Sequence, residues 1–280
     1  MFWKASHNNP LELYKFFKAV SPIISNFSIN IENDGISILQ MDNAHVSVLD
    51  IFIDKDDFTD YHFSERHNIV INSENFCKAL SLSEKIDSIT LSLKNYDSNK
   101  LSISFCNDSR KSKMSLNLIE SDNLEIQVPS IDFNVELEMS IGRFIKICKN
   151  LSQFGSKIIK FKSLCKSQEI KIYGEGDLGN IEIILKETDK IVKRKMNIKK
   201  KNVEIESKKI TLHKEIIINN FIKNISNTFS LEYVSKILSM SSLSNRVNIG
   251  LSTDLPMEIE MHFFSNSYLN YYIAPKIDDN

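Results

Sequence analysis

The chain has 280 residues, 42% of them hydrophobic, enough to fill two modest cores or one large one, and its formal net charge is −1. A near-neutral total argues against a generic polyanion binder unless the 35 basic and 36 acidic side chains are segregated onto different faces. No apolar run reaches the ~18 residues of a membrane helix, and the N-terminus shows no secretory leader pattern, so a soluble, intracellular protein is expected.

Along the chain, the first predicted helix carries Leu13, Phe16, Phe17 and Val20 at i, i+3, i+4, i+7 spacing, with Asn9 as cap and Pro10 as first helical residue. Two strand-like runs joined by a short polar turn occupy Gly35 to Val48. Ser73 is the candidate cap of a second helix whose apolar side is Phe76, Ala79 and Leu80. Alternating runs at Ile89, Leu91, Leu93, at Leu101, Ile103, Phe105 and at Met114, Leu116, Leu118 predict antiparallel strands. A polar stretch closing at Pro129 predicts an extended connector over 120–134 between an N-terminal half, 1–119, and a C-terminal half, 135–280.

The second half repeats the pattern. A strand at Val135, Leu137 and Met139 leads through Ser140 to a third helical stripe, Phe144, Ile147, Cys148 and Leu151. A strand at Ile181, Ile183 and Leu185 precedes a fourth stripe, Leu231, Val234, Ser235 and Leu238. Strands at Met257, Ile259, Met261, Phe263 and at Leu269–Ala274 follow, the last stopped by Pro275, with Tyr271 and Ile273 on one side and Tyr272 and Ala274 on the other. Each half is therefore expected to be a sheet with two helices on one side. The first and third stripes are offset by about 131 residues and the second and fourth by about 155, so the second half holds an insertion. The lysine-rich segment 186–209 fits it, with Lys190 to Lys195 and Lys199 to Lys201 expected as a solvated loop or hairpin extension.

At roughly 100° per residue, Lys15 and Lys18 fall opposite the first stripe, Lys78 opposite the second, and Lys146 and Lys149 opposite the third with Arg143 at its edge, while Lys236 projects away from the fourth. One such helix is an ordinary solvated face; a fourfold repetition points to a shared cationic surface. Catalytic signatures are missing. Gly174-Glu175-Gly176-Asp177-Leu178-Gly179 matches a dinucleotide fingerprint in letters, but it runs into an alternating strand and carries two carboxylates, so a glycine-rich hairpin turn is expected. The six histidines show no ligand spacing, and Cys77, Cys106, Cys148 and Cys165 are expected as buried free thiols. No cofactor, no metal and no enzymatic activity are expected.

The glycine-led strand from Gly35, the Met41-Asp42-Asn43-Ala44-His45-Val46 turn and the Tyr271-Tyr272-Ile273-Ala274-Pro275-Lys276 ending resemble the proliferating cell nuclear antigen family of DNA sliding clamps, a resemblance that covers nearly the whole chain. It implies an α+β DNA clamp fold of two similar halves, each an antiparallel sheet with two helices on the inner face. It further implies a closed homotrimer whose helices line a hole around double-stranded DNA, bound without sequence preference. DNA polymerase, ligase, flap nuclease and clamp loader would dock through short peptides, with nuclear residence for a cellular clamp or a viral replication site for a large DNA virus. The implied pocket comprises Met41, His45 and Val46 from the turn, Ile126, Val128 and Pro129 from the connector, Pro256, and Tyr272, Ala274, Pro275 and Lys276 from the ending. Ring closure would join the edges 111–118 and 177–185 through Met114, Leu116, Ile181 and Ile183, although Arg110, Lys111 and Lys113 could equally guard the edge of a monomer. Glu232 and Ser239 stand where the family usually offers basic residues. Glu232 and the enlarged second half motivate the alternative of a clamp-fold interaction protein that forms no homotrimeric ring, such as a checkpoint-clamp subunit or a viral transcription accessory factor.

Overall fold

The computed structural model describes residues 1–120, 126, 128, 131–164, 169–200, 203–219 and 222–276; at 164 and from 188 to 214 the description is of the backbone. The first block runs β1 (Trp3–His7), α1 (Pro10–Val20), β2 (Asn26–Glu32), β3 (Gly35–Met41), β4 (Ser47–Asp54), β5 (Asp60–Phe63), β6 (His67–Asn72), α2 (Ser73–Leu80), β7 (Ser88–Leu93), β8 (Lys100–Cys106) and β9 (Lys111–Asn117). The second runs β10 (Val135–Ser140), α3 (Ile141–Gln153), β11 (Ile158–Leu164), β12 (Glu169–Gly176), β13 (Gly179–Leu185), β14 (Thr188–Lys200), β15 (Val203–Asn219), β16 (Ser226–Ser230), α4 (Leu231–Ser235), β17 (Arg246–Leu251), β18 (Met257–Phe263) and β19 (Ser267–Ile273). The order is the same twice, except that the long β14–β15 hairpin stands where the first block has β5. The lysine-rich insertion is thus a hairpin extension: β5 pairs with β1, and the end of β15 pairs with β10 in the same way.

The strands form a five-stranded sheet, β5-β1-β7-β8-β9, a four-stranded sheet, β13-β12-β11-β16, and a ten-stranded sheet, β14-β15-β10-β17-β18-β19-β4-β3-β2-β6. Each half is antiparallel sheet with two helices, as expected, but the sheets do not divide where the halves do. The last strand, β19, pairs antiparallel with β4 of the first block, Tyr271 opposite Leu49 and Tyr272 opposite Val48, so the central sheet crosses both halves. Alternation along β19 is as read from sequence: Tyr271 and Ile273 are fully buried and Tyr272 is half-buried.

The helices form one layer on the buried side of that sheet. Leu13, Phe16, Phe17 and Val20 of α1 are all buried, with Phe16 stacked on Phe263 at a centroid distance of 4.3 Å and Phe17 edge-on to Phe27 and Phe76. Phe144, Ile147, Cys148 and Leu151 of α3 are buried likewise. The cap of α2 is Asn72, whose side chain accepts from the Asn75 N–H at 2.9 Å; Ser73 lies inside the helix and its hydroxyl donates to the Ser25 carbonyl. The fourth element also departs from its predicted stripe. After five α-helical residues the chain tightens into a 3₁₀ turn, Lys236–Met240, so the buried side is Leu231, Val234, Ile237 and Met240, spaced by three, and Ser235 and Leu238 are not buried. Contacts of α2 with α1, of α1 with the 3₁₀ turn and of α4 with α3 set the order of the layer. The Ser239 hydroxyl ties its two halves together, lying 2.8 Å from the Ala19 carbonyl of α1 and 2.7 Å from that of Lys236.

Two smaller expectations resolve differently. The glycines at 174–179 do form the β12–β13 hairpin, with Gly176 opposite Gly179 and Gly179 at φ +115°, a value that disfavours any side chain. Cys77 and Cys148 are buried, whereas Cys106 is exposed because alternation along β8 turns it away from buried Phe105; Cys165 lies outside the described residues. Among the described residues no helix is long and apolar enough to cross a membrane, and no group of His, Cys, Asp and Glu could hold a metal ion.

Candidate nucleic-acid interface and docking surface

Burying one side of each helix leaves the cations on the other. Lys15 and Lys18 of α1, Lys78 of α2 and Lys146 and Lys149 of α3 are exposed, and Arg143 and Lys236 are half-exposed. Lys15, Lys146 and Lys149 make no ion pair among the described residues. Lys18 sits 5.2 Å from the Tyr14 ring centre, and the hydrogen bond its ammonium donates to Tyr14 raises its pKa, keeping it charged. Lys78 pairs with Glu74 one turn earlier at 2.7 Å, Arg143 with Glu215 of β15 at 3.2 Å, and Lys236 covers the Tyr233 ring at 4.2 Å. The Lys78 pair is solvated on both sides and therefore weak, leaving that ammonium open to exchange for a phosphate. Glu232 is exposed on α4, and Ser239 is engaged with α1.

The opposite face of the ten-stranded sheet is acidic. Cross-strand pairing lines up Asp50, Asn270, Glu260, Asn248 and Glu138 in one row and Val48, Tyr272, Glu258, Gly250 and Glu136 in the next, while the residues between them, such as Ile51, Tyr271 and Ile259, are buried toward the helices. Cations and carboxylates are therefore segregated across the sheet, which a net charge of −1 concealed.

Burial pushes the Glu258 carboxyl up; the Tyr272 hydroxyl, donating to Glu258 Oε1 at 2.7 Å, opposes this, and Glu260, Asp50 and Glu136 reinforce it. A carboxyl raised in the folded state favours the fold while protonated, and this advantage is lost as pH climbs from the ordinary glutamate value through the raised one. Glu258→Gln is therefore expected to raise the melting temperature at about pH 8 and to leave it nearly unchanged at about pH 4. A shift of equal size at both pH values in thermal scans would refute this account.

Beside the acidic rows lies the surface implied for peptides. The Asp42–Ser47 turn is built on Asp42: burial raises its carboxyl, but N–H bonds from Ser47, Val46 and Ala44, at 2.6, 2.9 and 3.3 Å, lower it further, so it stays anionic. This turn holds His45 at φ +57° with its side chain exposed. Strand register then places Met41 opposite Val48 and Val48 opposite Tyr272. The Ala274 N–H donates to the Val46 carbonyl at 2.9 Å, and the Lys276 N–H to the Thr228 carbonyl at 2.7 Å, so the ending lies along the turn. Pro256, Pro275, Ile126 and Val128 are half-buried, and Ala274 and Lys276 are exposed. Pro129, like most of the connector, lies outside the described residues.

Two contributors escaped the sequence reading. Val48 stands between Met41 and Tyr272 on the same face. Phe133 lies on Gly250, where an added Cβ would be 2.6 Å from its ring, and it borders a cleft of about 180 Å³ with Glu136, Glu138 and Glu258. A glycine inside a strand between apolar neighbours was the available signal for such a close approach.

Two free strand edges complete the surface. Among the described residues β9 pairs only with β8, and β13 only with β12. Met114 and Leu116 stand opposite buried Ile103 and Leu101, and Ile183 opposite buried Ile172 with Ile181 opposite Gly174, so both edges carry half-buried apolar residues at the rim of the core.

Residues 3–127 match the family described as Proliferating cell nuclear antigen, N-terminal domain, and residues 127–276 match Proliferating cell nuclear antigen, C-terminal domain. Among solved structures the chain is similar in fold to the Proliferating Cellular Nuclear Antigen from Entamoeba histolytica, with a TM-score of 0.80 and 19% sequence identity over 98% of this chain and 99% of that one. With both family domains matched in order along one repeated architecture, the chain belongs to the proliferating cell nuclear antigen family of DNA sliding clamps.

Proposed function

We propose that this clamp-family chain closes with two further copies into a ring around duplex DNA and tethers replication and repair enzymes through the surface at Met41, Val48, Tyr272 and the chain ending. The observation that carries this reading is the segregation of charge across the central sheet: one helical layer presents Lys15, Lys18, Lys146 and Lys149, and the other face of the sheet presents carboxylates. Ammonium groups on flexible stems meet phosphates as point charges and read no base edges, so binding is sequence-independent, salt-sensitive and compatible with sliding.

Ring closure follows from the edges. Adding β9 of one subunit to β13 of the next satisfies both sets of unpaired ladder groups and sets Met114 and Leu116 beside Ile181 and Ile183, extending the core across the joint. The halves, 1–119 and 135–280, are then linked by the connector, 120–134. A polymerase, ligase, flap nuclease or clamp loader would enter as an extended peptide with apolar anchors. The site of action is the nucleus of a cellular host or the replication site of a large DNA virus.

Exposed Glu232 on the helical layer favours the competing reading, a clamp-fold interaction protein that closes no ring of its own. Light scattering at micromolar concentration separates them. The ring reading expects a mass of about three times 32.3 kDa, falling to 32.3 kDa for Met114→Asp or Ile183→Asp with an unchanged circular dichroism spectrum. A strictly monomeric unaltered chain would overturn it.

A further inference from the structure

Among the described residues the β14–β15 hairpin pairs with the rest of the sheet only through Ile216–Asn219 against β10; from Asp189 to Lys200, and back from Val203 to Lys214, its strands pair there with each other alone, as a two-stranded ribbon. About 12 residues per strand at ~3.3 Å each make it ~40 Å long, slightly more than one turn of duplex DNA at ~34 Å. It leaves the sheet where β10 ends and α3 begins, because Ile216 stands opposite Met139 and earlier residues of β15 continue past it. Arg143 of α3 pairs with Glu215 at that exit.

The register fixes which residues share a face. Thr188 stands opposite Ile216, which is buried on the helix-bearing side, and Asp189 then stands opposite Lys214, leaving Glu215 as the extra residue of a bulge. By strand alternation Lys190, Arg194 and Lys200 share the helix-bearing side with Thr188, and pairing adds Lys209 and His213 to it. No Asp or Glu of the ribbon falls on that side. The ribbon's acidic residues, Asp189, Glu204 and Glu206, take register positions on the other, with the remaining lysines. Arg194 is paired with Lys209 in the register.

We propose that this ribbon is a DNA-backbone arm, its carboxylate-free side continuing the lysine surface of the helices past the start of α3 onto the phosphates of the same duplex. It supplies basic residues in the half of the protein whose α4 offers Glu232 and whose Ser239 is engaged with α1. The inference rests on the sliding-clamp reading, and its test separates the two.

Affinity of the full chain for a linear duplex, measured by fluorescence anisotropy over a salt series, is compared for three sets of substitutions. The first, Lys190→Glu, Arg194→Glu, Lys200→Glu and Lys209→Glu, is expected to weaken binding more than about tenfold and to flatten the slope of log K against log salt by about 3 to 4, near 0.9 per lost phosphate contact. The second, Lys193→Glu, Lys195→Glu, Lys208→Glu and Lys214→Glu, makes the same charge change on the opposite face and is expected to weaken binding less than about threefold. The third reverses Lys15, Lys18, Lys146 and Lys149. Equal losses from the first two sets overturn the assignment of a face. No loss from the first with a clear loss from the third overturns the arm and leaves the clamp reading standing; no loss from the first or the third removes both. Glutamine at the first four positions, with thermal scans, guards against misfolding: it should give a smaller loss of the same kind at an unchanged melting temperature, and no loss counts against the arm.

Discussion

Glutamate at Lys15, Lys18, Lys146 and Lys149 is expected to strip the protein of its affinity for duplex DNA while the fold survives. All four side chains are exposed, and none of them makes an ion pair among the described residues, so each replacement should change stability by no more than about 0.5 kcal/mol. The loss in binding is far larger. Each cation that neutralises a phosphate contributes about 0.9 to the salt slope, and reversal also adds repulsion, so affinity for a linear duplex at about 150 mM salt should fall by more than about a hundredfold, equally on any sequence. Fluorescence anisotropy measures this, with thermal scans to establish folding. Undiminished affinity would sink the assignment of the helical layer to DNA.

The second large effect is expected from Tyr272→Ala combined with Pro275→Ala. Tyr272 stands between Val48 and Glu258 with its hydroxyl held by the carboxylate, and Pro275 follows the segment that lies along the Asp42–Ser47 turn. An aromatic wall fixed this way behaves as an interface anchor, and its truncation costs about 2 kcal/mol or more, about a thirtyfold loss of affinity for a labelled peptide bearing aromatic and aliphatic anchors. Tyr272→Phe keeps the ring and should retain most of the binding. Solution mass should not change, because the free edges belong to β9 and β13. A double variant that binds the peptide as well as the unaltered chain removes the docking surface.

Much of this was legible because the local rules and the fold agree. The stripes of α1 and α3 follow a 3.6-residue period, and all eight of their residues are buried. The fourth stripe misled because Leu231, Val234, Ser235 and Leu238 satisfy the α-helical spacing as letters, whereas the 3₁₀ turn imposes a period of three and selects Ile237 and Met240. Asn72 and Ser73 are both good caps, and only the bond to the Asn75 N–H distinguishes them. Pairing of β4 with β19 joins residues more than two hundred positions apart, which no local pattern encodes. At the site, the turn and the ending were readable from their residues. Phe133 was not, since its role depends on a glycine two strands away from Tyr272.

The ten-stranded sheet that runs unbroken through both halves has a mechanical consequence. Bending the protomer at its middle would tear the β4–β19 ladder, unstack Phe16 from Phe263 and part Ser239 from Ala19. In the proposed ring, segments this stiff would admit a DNA strand only by parting where neighbours touch, and a loading machine would have to pry at those seams.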